Sequence, residues 1–488
     1  MKKDSSLALY LCISVVVLVV LRFILIGALP LMDKTEARYA EIARLMVETG
    51  NWLVPQIDYG IPFWAKPPLS TWLAASSIKI FGVNELAVRL PSFLLHLSIL
   101  AGLGLWLRLK KLSPYLLAFI LLTTPEFILH MGVVSTDTVL GVCVVLVMLS
   151  FWEATKKNPE PFWKYLFFIA LGLGLLAKGP IVLILTLPPI LGWIALHRIN
   201  LFEQLKKLQW RPGLILMAII ASPWYILAEL QSPGFLDYFL VGEHFRRFVD
   251  PSWQGDMYGA PKRQPFGTIW LFLLIFAFPW AQFVLIKAWR KRSAIFKERW
   301  PSFLLFWFLW TPLFFTFSKN ILHTYILPSM VPMALLVLYY LKESTEIKKT
   351  VALGSLFPAM ILVATLIFLT YDDAKDYLNT DKYLLSKIRT SSFQKRIQLV
   401  YWKRKSYSGQ FYSGHQLKLI RGAPDLDSIL SFEKQVFVVV ANSMRTEFSA
   451  KYASRLRLVD SNLKTSLYLL SKENYISQRG GTSVNILH

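Results

Sequence analysis

The sequence is poor in charged residues and in cysteine. Charged residues make up 17% of its 488 residues, against roughly 25% in a soluble globular chain. The two cysteines, Cys12 and Cys143, both lie in apolar runs, which indicates small core residues without a disulfide or metal role. No P-loop, Rossmann glycine pattern or zinc-finger spacing occurs, and no internal repeat is visible. These absences argue against P-loop and Rossmann nucleotide-binding folds and against zinc-finger proteins.

Acidic residues are scarce as well: Asp and Glu number 30 against 53 Lys and Arg, a formal net charge of +23. In a soluble protein this balance suggests nucleic-acid binding, but no recognition-helix pattern accompanies it. The chain is 55% hydrophobic, and the apolar residues cluster in runs of about 20, the length of a bilayer-spanning helix. Cytoplasmic loops of membrane proteins collect Lys and Arg. The sequence therefore predicts a polytopic α-helical membrane protein that binds membrane lipid and no nucleic acid.

About eleven spans can be placed, and the basic clusters fall on every second loop, on the side shared with Lys2 and Lys3. This alternation predicts a cytoplasmic N-terminus and an external C-terminal tail. The first apolar run is too long for a signal peptide and is expected to be retained. Four short spans, the fourth, fifth, seventh and ninth, are expected to tilt or break most easily. The spans are Leu7–Leu29, Leu90–Leu107, Tyr115–His130, Thr138–Phe151, Trp163–Leu176, Ile181–Leu196, Leu214–Ala228, Phe266–Ile286, Phe303–Phe317, Ile321–Leu341 and Val351–Thr370.

Two domains are expected. Residues 1–370 form the membrane domain, with long outer loops at about 31–89 and 229–264, and residues 371–488 form a soluble periplasmic domain. Four apolar stretches of this tail are predicted to form strands, with helices between them. The tail is therefore predicted to be a small α/β unit. The predicted strands are Ile397–Trp402, Leu417–Ile420, Val436–Val440 and Leu467–Leu470.

The first outer loop carries candidate catalytic acids, Asp33 and Glu36, followed by the apolar residues Ile42, Leu45 and Met46 of a predicted amphipathic helix. Asp-x-x-Glu is also a helix-capping box, so a purely structural role for both acids stays open. Lys66 precedes two prolines that restrict the backbone, and it either presents its charge to an anion or extends to the lipid headgroups.

Further polar groups lie at predicted outer span ends, where charges are costly and often functional. Asp137 is either a functional acid or the N-cap of the fourth span, and Lys178 precedes Gly179-Pro180. The second outer loop carries Glu243, His244 and Arg247. Their acid, imidazole and guanidinium groups are suited to bind phosphate or a hydroxylated ring, or to form a structural ion pair. Lys319 and Tyr325 follow on the same side.

At these residues the chain resembles the bacterial lipid A aminoarabinose transferases of the protein-O-mannosyltransferase-like superfamily. The resemblance covers roughly Leu7–Leu341 and includes Thr35-Glu36-Ala37-Arg38-Tyr39-Ala40-Glu41-Ile42 and the Lys-Pro loop Phe63–Pro68. Asp137, Lys178-Gly179, Glu243-His244 with Arg247, and Lys319 with Tyr325 match later positions of the family. The resemblance implies the GT-C fold with a periplasmic C-terminal domain, an undecaprenyl-phosphate-linked sugar as donor, and inverting transfer without a cofactor.

On this resemblance, Lys66, Arg247 and Lys319 are expected to bind the donor phosphate, with no metal ligand. Asp33, Glu36 and Asp137 are the catalytic candidates. The substrate-binding candidates are Arg38, Tyr39, Lys178, Glu243, His244 and Tyr325. The chain departs from the family in two places, since Thr35 replaces the first acid of an Asp-Glu pair and Ala65 replaces an acid before Lys66. Lipid A or another envelope molecule is the expected acceptor, and transfer to protein Ser/Thr and a transporter or flippase are the alternatives.

Overall fold

The computed structural model describes residues 5–250, 253, 255, 257–258, 263–318, 320–342, 347–390, 398–414 and 417–472. The chain divides into two compact units. The first comprises the residues up to Leu29 together with Ile42–Ile361, and the second comprises Pro30–Glu41 together with the chain from Leu362 onward. The short segment Pro30–Glu41 is thus part of the same unit as the C-terminal domain, which the sequence pattern does not indicate.

Six helices of the described chain are long and apolar enough to cross a membrane, or seven if a bent pair counts as one span. The bent pair, Thr268–Phe276 and Trp280–Arg290, turns by 109°. Ile181–Leu196 is a shorter apolar helix. The six helices are Ser6–Ala28, Glu85–Leu109, Thr136–Ala154, Pro161–Lys178, Trp210–Gln231 and His323–Leu341. The protein is therefore a multi-pass membrane protein, as predicted.

The breaks do not fall in the spans expected to break. All four short spans are continuous helices, Thr136–Ala154, Pro161–Lys178, Trp210–Gln231 and Arg299–Thr316, so none of them breaks, and their tilt stays a prediction. The eighth predicted span breaks before Trp280, directly after Pro279, and the third breaks between Leu122 and Pro125. Proline lacks the N–H that continues the helical hydrogen-bond ladder. Both breaks therefore coincide with a proline, although Pro223 and Pro312 lie inside continuous helices.

The other helices of the first unit include a seven-residue 3₁₀ segment, His323–Ser329, ahead of Met330–Leu341, and a π-helical segment, Asp237–Arg246. A two-stranded hairpin pairs β1 (Gln56–Asp58) with β2 (Ile61–Pro62). The remaining helices are Thr35–Thr49, which begins in the second unit, Leu69–Phe81, Pro114–Leu122, Pro125–His130, Leu201–Lys207, Arg247–Val249, Arg292–Ile295, Ile347–Gly354 and Leu356–Thr370, which ends in the second unit.

The C-terminal domain is built on a five-stranded mixed sheet. Its strands are β3 (Gln398–Trp402), β4 (Lys418–Ile420), β5 (Gln435–Ala441), β6 (Leu456–Ser461) and β7 (Thr465–Ser471), in the order β4-β3-β5-β7-β6. Strands β4, β3 and β5 are parallel, and β7 and β6 are antiparallel. The helices are Lys382–Thr390, Tyr407–Ser413, Ala423–Phe432 and Arg445–Tyr452. The predicted small α/β unit is confirmed, and only the edge strand β6, which is largely exposed, was not predicted.

Candidate functional site

A carboxylate buried in the first unit binds two cations from separate segments of the chain. Lys66 lies just before the helix Leu69–Phe81, and its Nζ is 3.1 Å from Glu243 Oε2. Arg247 follows Glu243 by four residues, and its Nη1 donates to Oε1 at 3.0 Å and to Oε2 at 2.8 Å. Tyr238 donates its hydroxyl to Oε1 at 3.3 Å. Three residues predicted from sequence, Lys66, Glu243 and Arg247, are thus brought together.

Charge and exposure divide this cluster into a buried anion and two accessible cations. Burial alone raises the pKa of Glu243, but the charges of Lys66 and Arg247 outweigh burial and hold this pKa at about 2. The Glu243 side chain is 2% exposed, whereas those of Lys66 and Arg247 are 18% and 29% exposed. Lys66 Nζ also donates to the carbonyl oxygen of Ala65 at 2.6 Å. Ammonium and guanidinium groups each carry several donors, so these partly exposed cations are chemically suited to bind a phosphate as well as Glu243.

A second ion pair joins Asp137 to Lys178. Thr324 Oγ1 donates to Asp137 Oδ2 at 3.2 Å, and Lys178 Nζ lies 4.4 Å from the centre of the Tyr325 ring. The N-cap of the helix Thr136–Ala154 is Ser135, whose side chain accepts from the amide of Asp137. The capping alternative for Asp137 is therefore wrong, and its carboxylate is available to hold Lys178.

His244 connects the segments that carry the two ion pairs. Its Nδ1 lies 2.8 Å from the carbonyl oxygen of Phe239, and its Nε2 lies 3.2 Å from that of Lys178. Burial, together with the charge of Lys66, lowers the pKa of His244, whereas the two main-chain carbonyls act in the opposite direction. These two contacts link the π-helical segment that carries Glu243 to the end of the helix at Lys178. The predicted contact of His244 with a substrate stays a prediction.

Gly179, the residue after Lys178, has no room for a side chain. Its φ is +81°, and an added Cβ would lie 2.6 Å from Phe239 Cζ and 3.1 Å from His244 Cε1. We expect Gly179→Ala to lower the free energy of unfolding by about 1–3 kcal/mol, because a side chain here is both strained and crowded. Thermal unfolding in detergent measures this, with Gly102→Ala as the control, since nothing lies within 4 Å of its Cβ position. Equal transition temperatures would contradict the packing described.

Asp33 is held within the second unit. Its Oδ1 accepts the Ser408 amide at 3.0 Å and its Oδ2 accepts the Ser408 hydroxyl, while the Asp33 amide donates to the Asn379 carbonyl at 2.8 Å. Burial raises the pKa of Asp33 to about 6, although the hydrogen bonds from Ser408 act in the opposite direction. Within the described chain, these carboxylate bonds go to Ser408 of the C-terminal domain rather than to the amides of the helix that Asp33 precedes.

The other first-loop candidates lie at the start of the helix Thr35–Thr49, also in the second unit. Glu36 Oε2 accepts from the Met32 amide at 3.3 Å, which resembles the acidic half of a capping box. The Arg38 guanidinium carbon lies 5.4 Å from the centre of the ring of Tyr39, which is buried. Lys319 lies outside the described residues, so its predicted contact with a phosphate stays a prediction.

Sequence analysis missed one cluster of the first unit, formed by Glu126, His130 and His323. Glu126 Oε1 lies 2.9 Å from His130 Nδ1, and Oε2 lies 3.0 Å from His323 Nδ1. The only signal in the sequence was the spacing of Glu126 and His130, which puts both on one helix face. His323 is 197 residues from Glu126, so spacing gave no indication of it. The sequence prediction that no metal ligands are present is not tested by this geometry.

Known proteins resemble the chain in sequence and in fold. The family model for dolichyl-phosphate-mannose-protein mannosyltransferases matches residues 6–239. The undecaprenyl phosphate-alpha-4-amino-4-deoxy-L-arabinose arabinosyl transferase of Erwinia tasmaniensis is 33% identical over 321 residues, which cover 64% of this chain and 55% of the relative. That of Aeromonas hydrophila is 32% identical over 354 residues, which cover 68% of this chain and 61% of the relative. The chain thus spans less than two thirds of the length of these curated relatives.

A solved structure extends the likeness to nearly the whole chain. ArnT from Cupriavidus metallidurans bound to undecaprenyl phosphate superposes with a TM-score of 0.72 at 16% identity, covering 96% of this chain and 98% of that chain. This likeness confirms the predicted fold class, a helical membrane domain of the GT-C type followed by a small C-terminal sheet domain.

Proposed function

We propose that this chain, an aminoarabinose transferase-like protein with the GT-C fold, is an inverting glycosyltransferase of the bacterial inner membrane. It moves a sugar from an undecaprenyl-phosphate carrier to lipid A or another envelope acceptor. The observation that carries the proposal is the convergence of two partly exposed cations, Lys66 and Arg247, on the buried carboxylate of Glu243. The names of the relatives and the ligand of the solved ArnT structure support the identity of the carrier.

The reaction is a displacement at the anomeric carbon of the donor. The bond from that carbon to the phosphate oxygen breaks, a bond to the acceptor oxygen forms on the opposite face, and undecaprenyl phosphate leaves with the bonding electrons. Lys66 and Arg247, with Lys319 as a third candidate, stabilise the negative charge that develops on the leaving phosphate. The proposed transfer uses no cofactor, because the leaving group is an ionised phosphate that the protein's own cations bind.

The acceptor decides whether a base is needed. A hydroxyl acceptor must lose its proton, and Asp33 or Glu36 is the proposed base. A phosphate acceptor, as on lipid A, is already ionised and needs only positioning. Arg38 and Tyr39 are proposed to orient the substrates. Asp137 stays a catalytic candidate. Lys178 and Tyr325 are proposed to line the sugar site beside it, since Lys178 pairs with Asp137 and lies next to the Tyr325 ring.

The proposed orientation puts the N-terminus in the cytoplasm and the C-terminal domain in the periplasm, because the basic clusters fall on alternate loops. We expect reporter fusions at Lys111, Lys157, Lys291 and Lys348 to report the cytoplasm and a fusion at Ser483 to report the periplasm. A cytoplasmic reading at Ser483 would contradict the orientation and would place the second unit on the wrong side for an external acceptor.

Mass spectrometry of lipid A and other envelope glycans from cells with and without the gene tests the acceptor. A mass increment of one sugar on lipid A that depends on the gene supports the proposal. The match to the protein mannosyltransferase family favours transfer to protein Ser/Thr as the second candidate. Gene-dependent sugar on envelope proteins alone would select that candidate instead.

A further inference from the structure

A carboxylate and two imidazoles meet in the first unit, separate from the Lys66–Glu243–Arg247 cluster. The ligand atoms of Glu126, His130 and His323 all lie within 4.8 Å of one another. The side chains of Glu126 and His130 are 0% and 5% exposed, and that of His323 is 38% exposed. An ionised carboxylate without access to water requires a cation close by.

Either a protonated imidazole or a metal ion would supply that cation, and the ligand set favours the metal. One carboxylate and two histidines, with a fourth position left for water, form a known zinc ligand set, with metal–ligand distances of about 2.0–2.2 Å. Ligand atoms around such an ion are about 3–3.5 Å apart by tetrahedral geometry. The separations of 2.9 and 3.0 Å between the Glu126 oxygens and the two Nδ1 atoms are those of direct hydrogen bonds, so the ligand atoms would move slightly apart around an ion. His130 Nδ1 also lies 3.0 Å from the main-chain oxygen of Glu126.

We propose that Glu126, His130 and His323 bind a divalent transition-metal ion of the Zn²⁺ class. The surrounding structure holds the ligands in place. Glu126 and His130 are four residues apart on the helix Pro125–His130, so their side chains share one face. The ring of Phe276 stacks on that of His323 with centroids 4.5 Å apart and an interplanar angle of 16°, which fixes the plane of the imidazole.

The ion would tie the helix Pro125–His130 to the segment that begins at His323. The two residues after His323 contact the second ion pair, since Thr324 donates to Asp137 and the ring of Tyr325 lies beside Lys178. The ion would therefore help to position Asp137 and Lys178. The inference does not depend on the proposed function, because metal binding is measured without substrate.

The test uses the full chain purified in detergent with an affinity tag that contains no histidine. The protein is stripped with a chelator, equilibrated with Zn²⁺, dialysed and analysed for metal by mass spectrometry. We expect about one ion per chain, and below about 0.2 in His323→Ala, because loss of one of three ligands removes most of the affinity. His197→Ala is the matched control, because that imidazole bonds to Ser302 instead, at 2.8 Å, and it should keep the ion.

A second readout needs no variant. Co²⁺ bound to stripped wild-type protein should give the visible absorption of a four-coordinate site, and added Zn²⁺ should abolish it. Wild-type protein that holds no ion would overturn the proposal and leave an imidazolium–carboxylate pair only. Equal metal content in wild type and folded His323→Ala would overturn it as well, since the ion would then lie elsewhere. If wild-type protein binds the ion but transfers no sugar, that result would contradict the proposed function and leave the metal site unaffected.

Discussion

Lys66→Ala and Arg247→Ala are each expected to lower the rate of sugar transfer by about 10- to 150-fold. A hydrogen bond to a charged group contributes about 1.5–3 kcal/mol, and each factor of ten in rate corresponds to about 1.4 kcal/mol. Both side chains bind Glu243 and are partly exposed. Their removal should therefore weaken stabilisation of the leaving phosphate while the protein still inserts into the membrane. Single-turnover transfer with purified protein measures the effect.

Stability has to be separated from catalysis in these variants, since removal of one partner of a buried ion pair can cost about 3–5 kcal/mol. Since Glu243 binds both cations, its neutralisation would leave one of them without a partner. Thermal unfolding of each single variant in detergent therefore measures the loss of stability separately from the loss of transfer. Arg246→Ala is the matched control, because that exposed side chain adjoins Arg247 and its loss changes the net charge equally. Full activity in both Lys66→Ala and Arg247→Ala would contradict the proposal that these two residues bind the leaving phosphate.

Asp33→Asn is expected to reduce transfer to a hydroxyl acceptor by about 10²-fold or more, the range for loss of a general base. The base must be ionised to accept a proton. Because burial raises the pKa of Asp33 to about 6, activity should fall as the pH drops below about 6. This acid limb should disappear in Asp33→Asn, and a pH–rate profile of both proteins measures it.

Ser408→Ala distinguishes a base from a structural anchor. Ser408 donates to both carboxylate oxygens of Asp33, and loss of the hydroxyl keeps the carboxylate in place as a base. Since that hydrogen bond lowers the pKa of Asp33, its removal should move the acid limb to higher pH and preserve most of the transfer rate above it. If Ser408→Ala loses as much activity as Asp33→Asn, then Asp33 acts by anchoring. Glu36→Gln tests the other candidate base, because it removes the carboxylate of Glu36 and leaves Asp33 unchanged.

Much of the membrane domain was predictable, because a bilayer imposes long apolar runs and alternating basic loops. The sequence-based predictions that were wrong or incomplete concern features set by local geometry. The break before Trp280 follows a proline, and the N-cap considered for Asp137 is Ser135. The edge strand β6 has three consecutive exposed residues and a mixed sequence, so it lacks the apolar signal that identified the other strands.

Residue types and family resemblance identified Lys66, Glu243 and Arg247, but the pattern did not reveal that Glu243 anchors the two cations. The other contacts that the sequence did not predict join residues far apart in the chain. Asp33 and Ser408 are 375 positions apart, and Glu126 and His323 are 197 apart. Neither local spacing nor periodicity carries information about pairs this distant, so the anchoring of Asp33 and the histidine cluster required the structure.

The most direct test of the account uses purified protein in detergent with an undecaprenyl-phosphate-linked sugar labelled in the sugar, and lipid A as acceptor. A transferase converts the donor to undecaprenyl phosphate and the label appears on the acceptor, whereas a transporter or flippase leaves the donor intact. We expect release of undecaprenyl phosphate with stoichiometric labelling of the acceptor, lost in the Lys66→Ala, Arg247→Ala double variant and retained in Arg246→Ala. A donor that stays intact with wild-type protein, across a panel of linked sugars and with both lipid A and envelope-protein acceptors, would contradict the proposed transfer.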